Sequence, residues 1–310
     1  MKTVFMGTPA IAASALEALT DSRHSVEAVV TRPDAVSGRG KNVHFSPVKE
    51  LALEKGIKVL QPEKGSGSML FDELAEIKPD IIVVMAYGRI LKKDVLELPK
   101  FGCINLHASL LPYYRGASPI QWAVLNGEPE TGITVMQMSE GLDCGDIIMA
   151  EKTPLDAKET AGSLTEKLAQ MSGPLLIKAL DAIENGSATK TPQDESKATY
   201  VSTIDKSFGK LDFTGDAALL ERMVRGLYPW PGAFSYHNGK FIKFFDCDVS
   251  DVSLDGQFVP GRVNASKKGL FIETGNGSLK VNELQAEGKK RMMARDFMNG
   301  YKITTGEILQ

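Results

Sequence analysis

Asp80-Ile81-Ile82-Val83-Val84-Met85-Ala86 is a run of apolar residues with no polar alternation after its first member. A strand of this kind has both faces covered, which marks the centre of a parallel sheet. The segments around it agree. Lys2-Thr3-Val4-Phe5-Met6 predicts a buried strand ending at Gly7, with a helix from Pro9 to Thr20. Further strands are predicted at Val26–Thr31 and Ile57–Leu60, and a helix at Ser68–Lys78. Ser46-Pro47 supplies an N-cap and an N1 proline for a helix that Gly56 closes; Ser118-Pro119 repeats the device, with Gly127 as the stop. Alternating strands and helices predict an α/β fold with a doubly wound, mostly parallel sheet. Such sheets bind ligands at the carboxyl ends of their strands. Gly7 stands alone and does not make the G-x-G-x-x-G pattern, which argues against a dinucleotide.

The later chain changes character. Ala161 to Ile183 reads as a long helix ending at Asn185-Gly186, after which Ser187 to Lys206 loses periodicity. Beyond it come a helix over Asp216–Gly226 and short strands at Phe241–Phe245, Phe258–Val263, Leu270–Thr274 and Ser278–Asn282, a pattern that fits a small β-barrel. The expected division is residues 1–188, a linker at 189–206, and a barrel domain at 207–310.

Composition narrows the class. The 310 residues are 43% hydrophobic and 24% charged, ordinary for a globular protein, and no run approaches a membrane span. Lys2 and the apolar residues after it imitate the start of a signal peptide, but Gly7, Thr8, Pro9 and Glu17 interrupt it. Cys103, Cys144 and Cys247 are widely spaced and give neither a disulfide framework nor metal-ligand spacing, which suits a reducing cytosol; with four histidines and no H-x-x-x-H, no metal is expected. The net charge is −3, yet from Ser207 onward 14 Lys and Arg face 12 Asp and Glu, against 22 facing 27 before it. That shift permits a polyanionic partner at the C-terminal end without requiring one.

Chemistry concentrates at Asn105-Leu106-His107-Ala108-Ser109-Leu110-Leu111-Pro112 and, about 30 residues later, at Gly141-Leu142-Asp143. Asn105 and His107 stand two apart and so share a face of an extended segment. Asp143 follows the alternating run Ile133–Met138 and is expected on the loop after a neighbouring strand. The plain alternative is a polar cluster tying two loops together. Ser109 lacks the strained G-x-S-x-G turn of a serine hydrolase.

These segments resemble the methionyl-tRNA formyltransferase family over nearly the whole chain. The resemblance rests on Phe5-Met6-Gly7-Thr8-Pro9, on Thr31-Arg32-Pro33-Asp34 with Gly38-Arg39-Gly40-Lys41 and Ser46-Pro47-Val48-Lys49, and on Asn105 through Pro112 with Arg115-Gly116-Ala117. It continues through Gly141-Leu142-Asp143, Gly145-Asp146, Tyr228-Pro229-Trp230-Pro231-Gly232-Ala233 and Gly288-Lys289-Lys290. Cys144 departs from the small hydroxyl residue usual there, and Tyr113-Tyr114 from a common basic-aromatic pair. Glycinamide ribonucleotide and amino-sugar formyltransferases share the core, so the Arg32-to-Lys49 loop and the basic C-terminal end are the discriminating parts.

The resemblance implies a formyltransferase variant of the Rossmann-like fold followed by an OB-like barrel. The implied activity moves a formyl group from 10-formyltetrahydrofolate to the α-amine of methionyl initiator tRNA, in the cytoplasm and without a metal; the mixed composition suggests a monomer. Asn105 would donate to the developing oxyanion, and His107 would donate or carry a proton toward the departing N10. Asp143 would either hold the imidazole protonated or take a proton from the amine. Ser109, Leu110, Leu111 and Pro112 would line the folate pocket, and Tyr87, Gly88, Arg89 and Ile90 its pterin edge. Arg32, Arg39 and Lys41 would meet the tRNA acceptor end from a glycine-bearing loop, with Lys289, Lys290 and Arg291 as a phosphate track.

Overall fold

The structure, a computed structural model, describes residues 1–37, 42–63, 68–252 and 257–310. Seven strands form the first sheet: β1 Lys2–Gly7, β2 Ser25–Val30, β3 Lys58–Leu60, β4 Ile81–Met85, β5 Cys103–His107, β6 Glu130–Gln137 and β7 Ile147–Pro154. Their order is β7-β6-β5-β4-β1-β2-β3. The five strands from β5 to β3 are parallel, while β6 and β7 are joined antiparallel. Every residue of β4 is buried, as its unbroken apolar run predicts. Successive side chains of β4 face opposite sides of the sheet, so burial of all five requires cover on both. On one side Val4, Met6, Ile82 and Val84 pack with Leu70 and Leu74.

The helices are α1 Ala10–Thr20, α2 Pro47–Glu54, α3 Ser68–Ile77, α4 Lys93–Glu97, α5 Pro119–Asn126, α6 Ala161–Glu184, α7 Ala217–Gly226 and α8 Ala294–Tyr301. Their limits follow local chemistry. Ser46 Oγ accepts the Lys49 N–H at 3.1 Å and Pro47 opens α2, while Gly56 leaves it at φ +67°. Asp216 caps α7 by accepting the Ala218 N–H at 2.7 Å. No helix among the described residues is long and apolar enough to cross a membrane.

A second sheet contains β8 Phe234–His237, β9 Lys240–Ser250, β10 Val263–Ser266, β11 Gly269–Glu273, β12 Ser278–Ala286 and β13 Met292–Met293. It is antiparallel, in the order β8-β9-β12-β11-β10, with β13 also on β12. The register of β9 slips between Phe244 and Cys247, and bulges of this kind bend a strand and increase its twist. The sheet curls into a half-barrel around Phe213, Leu220, Val224, Phe244, Val281 and Phe297.

One strand expectation needs correction. Over the expected Phe258–Val263 the strand starts only at Val263, and Phe258 is exposed. Pro260-Gly261 turns the chain there: Gly261 has φ +79°, and a Cβ on it would lie 2.3 Å from the Leu309 carbonyl oxygen. Strands β8 and β13 were not anticipated, and Phe241–Phe245 is only part of the longer β9.

The chain forms two compact units. One gathers Met1–Pro119, Glu130–Pro154 and Thr165–Val201; the other gathers Ile120–Pro129, Leu155–Leu164 and Ser202–Gln310.

Candidate active site

Strand β5 carries Asn105 and His107 at its carboxyl end, where Asn105 lies opposite Met136 and His107 opposite Thr134 of β6. Their spacing of two places them on one face of the sheet. Asn105 is half-buried, and His107 is 6% exposed. The next turn sets the imidazole. His107 Nε2 lies 2.8 Å from the Tyr114 carbonyl oxygen. A carbonyl only accepts, so Nε2 carries the hydrogen. The remaining nitrogen, Nδ1, faces Asp143 Oδ2 at 3.7 Å. That exceeds hydrogen-bond length, and catalytic contacts of this kind commonly tighten in the substrate complex.

Asp143 stands on the loop between β6 and β7 with φ +48°, an uncommon conformation for a residue with a Cβ. The Gly116 N–H donates to its Oδ2 at 2.8 Å. Behind it, Gln193 Nε2 donates to the carbonyl oxygens of Asp143 at 2.9 Å and Gly145 at 2.7 Å. Gln193 Oε1 in turn accepts from Arg115, a fully buried side chain. Glu195 binds the same guanidinium at 2.6 and 2.9 Å, and Tyr200 Oη accepts from it at 3.0 Å. The Arg115 guanidinium holds the Glu195 carboxyl below its ordinary value. Sequence reasoning missed Gln193, Glu195 and Tyr200. The available signal was the guanidinium itself, because a buried cation requires partners, but the sequence does not say which distant residues provide them.

The residues expected around folate fall into two groups. Ser109 is fully buried; its hydroxyl donates to the Tyr113 carbonyl at 2.6 Å and its own carbonyl accepts from Thr134 Oγ1 at 2.7 Å. Its hydroxyl is thus used inside the turn that presents Leu110, Leu111 and Pro112. Leu111 and Pro112 are buried, Leu110 half-buried, and the Leu111–Pro112 peptide is cis. At the end of β4, Tyr87 is buried in the core while Gly88 and Ile90 are exposed. Arg89 Nη1 donates to the Pro62 carbonyl at 2.7 Å. Tyr87 Oη and Thr8 Oγ1 are buried without a hydrogen-bond partner among the described residues, and burial pushes the Tyr87 phenol up. They follow β4 and β1, adjacent strands between which the sheet order reverses.

Of the residues expected at tRNA, Arg32 is brought to the expected pterin edge: its Nη2 donates to the Gly88 carbonyl at 3.0 Å. Arg39 and Lys41 lie outside the described residues. Lys289, Lys290 and Arg291 are exposed in the second unit, after β12. Arg291 pairs with Glu283 and its guanidinium stands 4.6 Å from the Phe245 ring centre. One group of metal-type ligands, His24, Asp181 and Glu184, comes together among the described residues, but Arg23 and the Met1 ammonium already pair with its carboxylates. Cys103 is buried, and burial pushes its thiol up to about 12.

Comparison with known proteins supplies the family. Residues 1–180 match the formyl transferase family and residues 203–302 the formyl transferase C-terminal domain. The protein named methionyl-tRNA formyltransferase from Lachnospira eligens is 50% identical, across 100% of this chain and 99% of its own. One of the same name from Alkaliphilus oremlandii is 45% identical, across 100% of this chain and 99% of its own.

The chain belongs to the methionyl-tRNA formyltransferase family. Solved structures at lower identity carry the fold further. An N-formyltransferase from Helicobacter canadensis, in complex with folinic acid and dTDP-3-aminofucose, superposes with a TM-score of 0.68 at 21% identity, over 92% of this chain and 99% of that one. Family membership makes this chain a formyl transferase that uses formyl-tetrahydrofolate. The motifs quoted from the sequence therefore belong to a methionyl-tRNA formyltransferase and not to a sugar or purine enzyme of the same core.

Proposed function

We propose that Asn105, His107 and Asp143 carry out the family's reaction, moving the formyl group of 10-formyltetrahydrofolate to the α-amine of methionyl initiator tRNA to give N-formylmethionyl-tRNA. The observation that carries this reading is that Nδ1 of His107, at the carboxyl end of β5, faces Asp143 Oδ2 at 3.7 Å, with Asn105 two residues earlier on the same face of that strand. The attacking amine must lose one proton and the departing N10 must gain one, while negative charge gathers on the formyl oxygen. Asn105 has an amide to donate to that oxygen, a contact worth about 10²–10³ in rate. His107 keeps one N–H on the Tyr114 carbonyl, so its Nδ1 edge is the one left to exchange a proton. Asp143 Oδ2 lies on that edge and provides the second station for the proton. No acyl-enzyme is needed, because the amine is itself the nucleophile.

The turn Ser109–Pro112 and the edge Tyr87–Ile90 fit a folate. The two unpartnered hydroxyls of Tyr87 and Thr8 suit a heterocycle rich in donors and acceptors. Arg32, Arg39 and Lys41 contact the acceptor end, and Lys289, Lys290 and Arg291 contact phosphates. Residues 1–188 then form the catalytic domain, with 193–201 of the expected linker packed in the same compact unit, and 207–310 the tRNA-binding domain, in a monomer working in the cytoplasm.

The test is single-turnover formyl transfer from 10-formyltetrahydrofolate to methionyl initiator tRNA, with methionyl elongator tRNA in parallel. Fast transfer to the initiator alone is expected. Folate binding without transfer to either tRNA would overturn the reading.

A further inference from the structure

The side chain of Gln193 has an orientation fixed from both ends. Arg115 is fully buried and its five N–H groups are all used: Nε and Nη2 on Gln193 Oε1, Nη1 and Nη2 on the Glu195 carboxylate, and Nη1 on Tyr200 Oη. With its oxygen turned to the guanidinium, the Gln193 amide presents both its hydrogens to the Asp143 and Gly145 carbonyls, one on each side of Cys144. The acidic loop has little freedom elsewhere. A Cβ on Gly145 would lie 1.7 Å from the Gln137 carbonyl oxygen, and the Asp143 carboxylate is tied to the Gly116 amide. Gly116 in turn pairs in parallel register with Val201, directly after Arg115 and Tyr200. The loop and the Arg115–Gly116 turn are thus both referred to one segment, residues 193–201.

We infer that Gln193 is a positioning residue for the reaction: it holds Asp143 by the backbone, at the φ of +48° that turns the carboxylate toward His107 Nδ1. The inference rests on the reading of Asp143 given above. Two replacements isolate the function. Gln193→Glu keeps an acceptor for Arg115 and removes the two donors to the loop. Gln193→Met keeps the length and removes every hydrogen bond. Displacing a reacting group by about 1 Å is enough to lower a rate by roughly 100-fold. Both replacements are expected to lower kcat by about 10- to 100-fold, with the KM for 10-formyltetrahydrofolate changed less than about threefold.

The deciding experiment is a double-mutant cycle on the full chain with Asp143→Asn, reading kcat, KM and the pH profile of kcat. If Gln193 acts through Asp143, Gln193→Glu changes kcat and its pH profile in the native background and adds little once Asp143 is asparagine. An equal loss in both backgrounds would mean a general structural role and overturn the inference, as would unchanged kcat in both Gln193 variants. Unchanged kcat in Asp143→Asn alone would instead remove the role of Asp143, and the inference with it. Should Gln193→Met fail to fold, Gln193→Glu still decides the question.

Discussion

Tyr114 grips His107 by Nε2, and that single carbonyl decides which edge of the ring faces Asp143. Asn105, two residues earlier on the same strand, is half-buried, and its amide has no comparable bond among the described residues, which leaves it available for the donor role proposed above. Replacement of Asn105 by alanine should lower kcat by about 10²–10³ while folate binding and thermal stability hold. A loss of folate affinity equal to the loss of kcat would instead mark a ground-state contact. At this scale the sequence was legible where spacing alone carries the information, as in the pair Asn105 and His107. It was not legible for Ser109, whose hydroxyl closes on the Tyr113 carbonyl, because a serine reads the same whether its oxygen faces inward or outward.

Among the elements, the strongly apolar ones were the most readable. Strand β4 and helices α2 and α7 fall within a residue or two of their expected limits, since periodicity and caps are local properties. The failure at Phe258–Arg262 has a tertiary cause: Gly261 packs against the Leu309 carbonyl, a contact made 48 residues away in sequence and invisible in the run itself. The segment 193–201 is a second case. Its polar composition reads as a connection, yet it supplies the short strand beside Arg115–Gly116 and the carboxylate that pairs with Arg115.

That carboxylate gives the segment a pH signature. The Glu195 carboxyl is held below its ordinary 4.5 by hydrogen bonds from Arg115, which favour the ionised form in the folded state. A carboxyl shifted this way contributes stability that is present above about pH 4.5 and is lost as the pH falls through its lowered folded value. Thermal melts between pH 3 and 7 should show Glu195→Gln less stable than the native chain near neutrality, with the two curves converging in acid. Parallel curves over the whole range would show that this pairing has no part in the acid response.

In the whole molecule, the second unit draws on two earlier segments, Ile120–Pro129 and Leu155–Leu164, that interrupt the first unit in sequence. One brings Leu125 to Ile204 and Leu227 in a buried cluster, with Trp122 and Met223 against it. Trp122 Nε1 donates to the Ser202 carbonyl at 3.0 Å, and Arg222 Nε to the Leu125 carbonyl at 2.8 Å. Neither composition nor charge signals these excursions, since a helix reads the same whichever core receives its apolar face. A fragment of residues 1–201 would keep Leu125 and Trp122 without the partners from 202–310, forfeiting about 1.5–3 kcal/mol for each exposed side chain. It is expected to bind hydrophobic dyes and to self-associate in gel filtration. A monomeric fragment with a sharp melt and no dye binding would show that residues 120–129 find other cover.

The same interleaving sets a timetable for synthesis. The segment 120–129 is made in the first half of translation, but its partners Ser202, Ile204, Arg222, Met223 and Leu227 are not complete until residue 227 has been added. At about 5–20 residues per second, the wait is roughly five to twenty seconds. During that interval the apolar face of α5 stands open to a chaperone at the ribosomal exit.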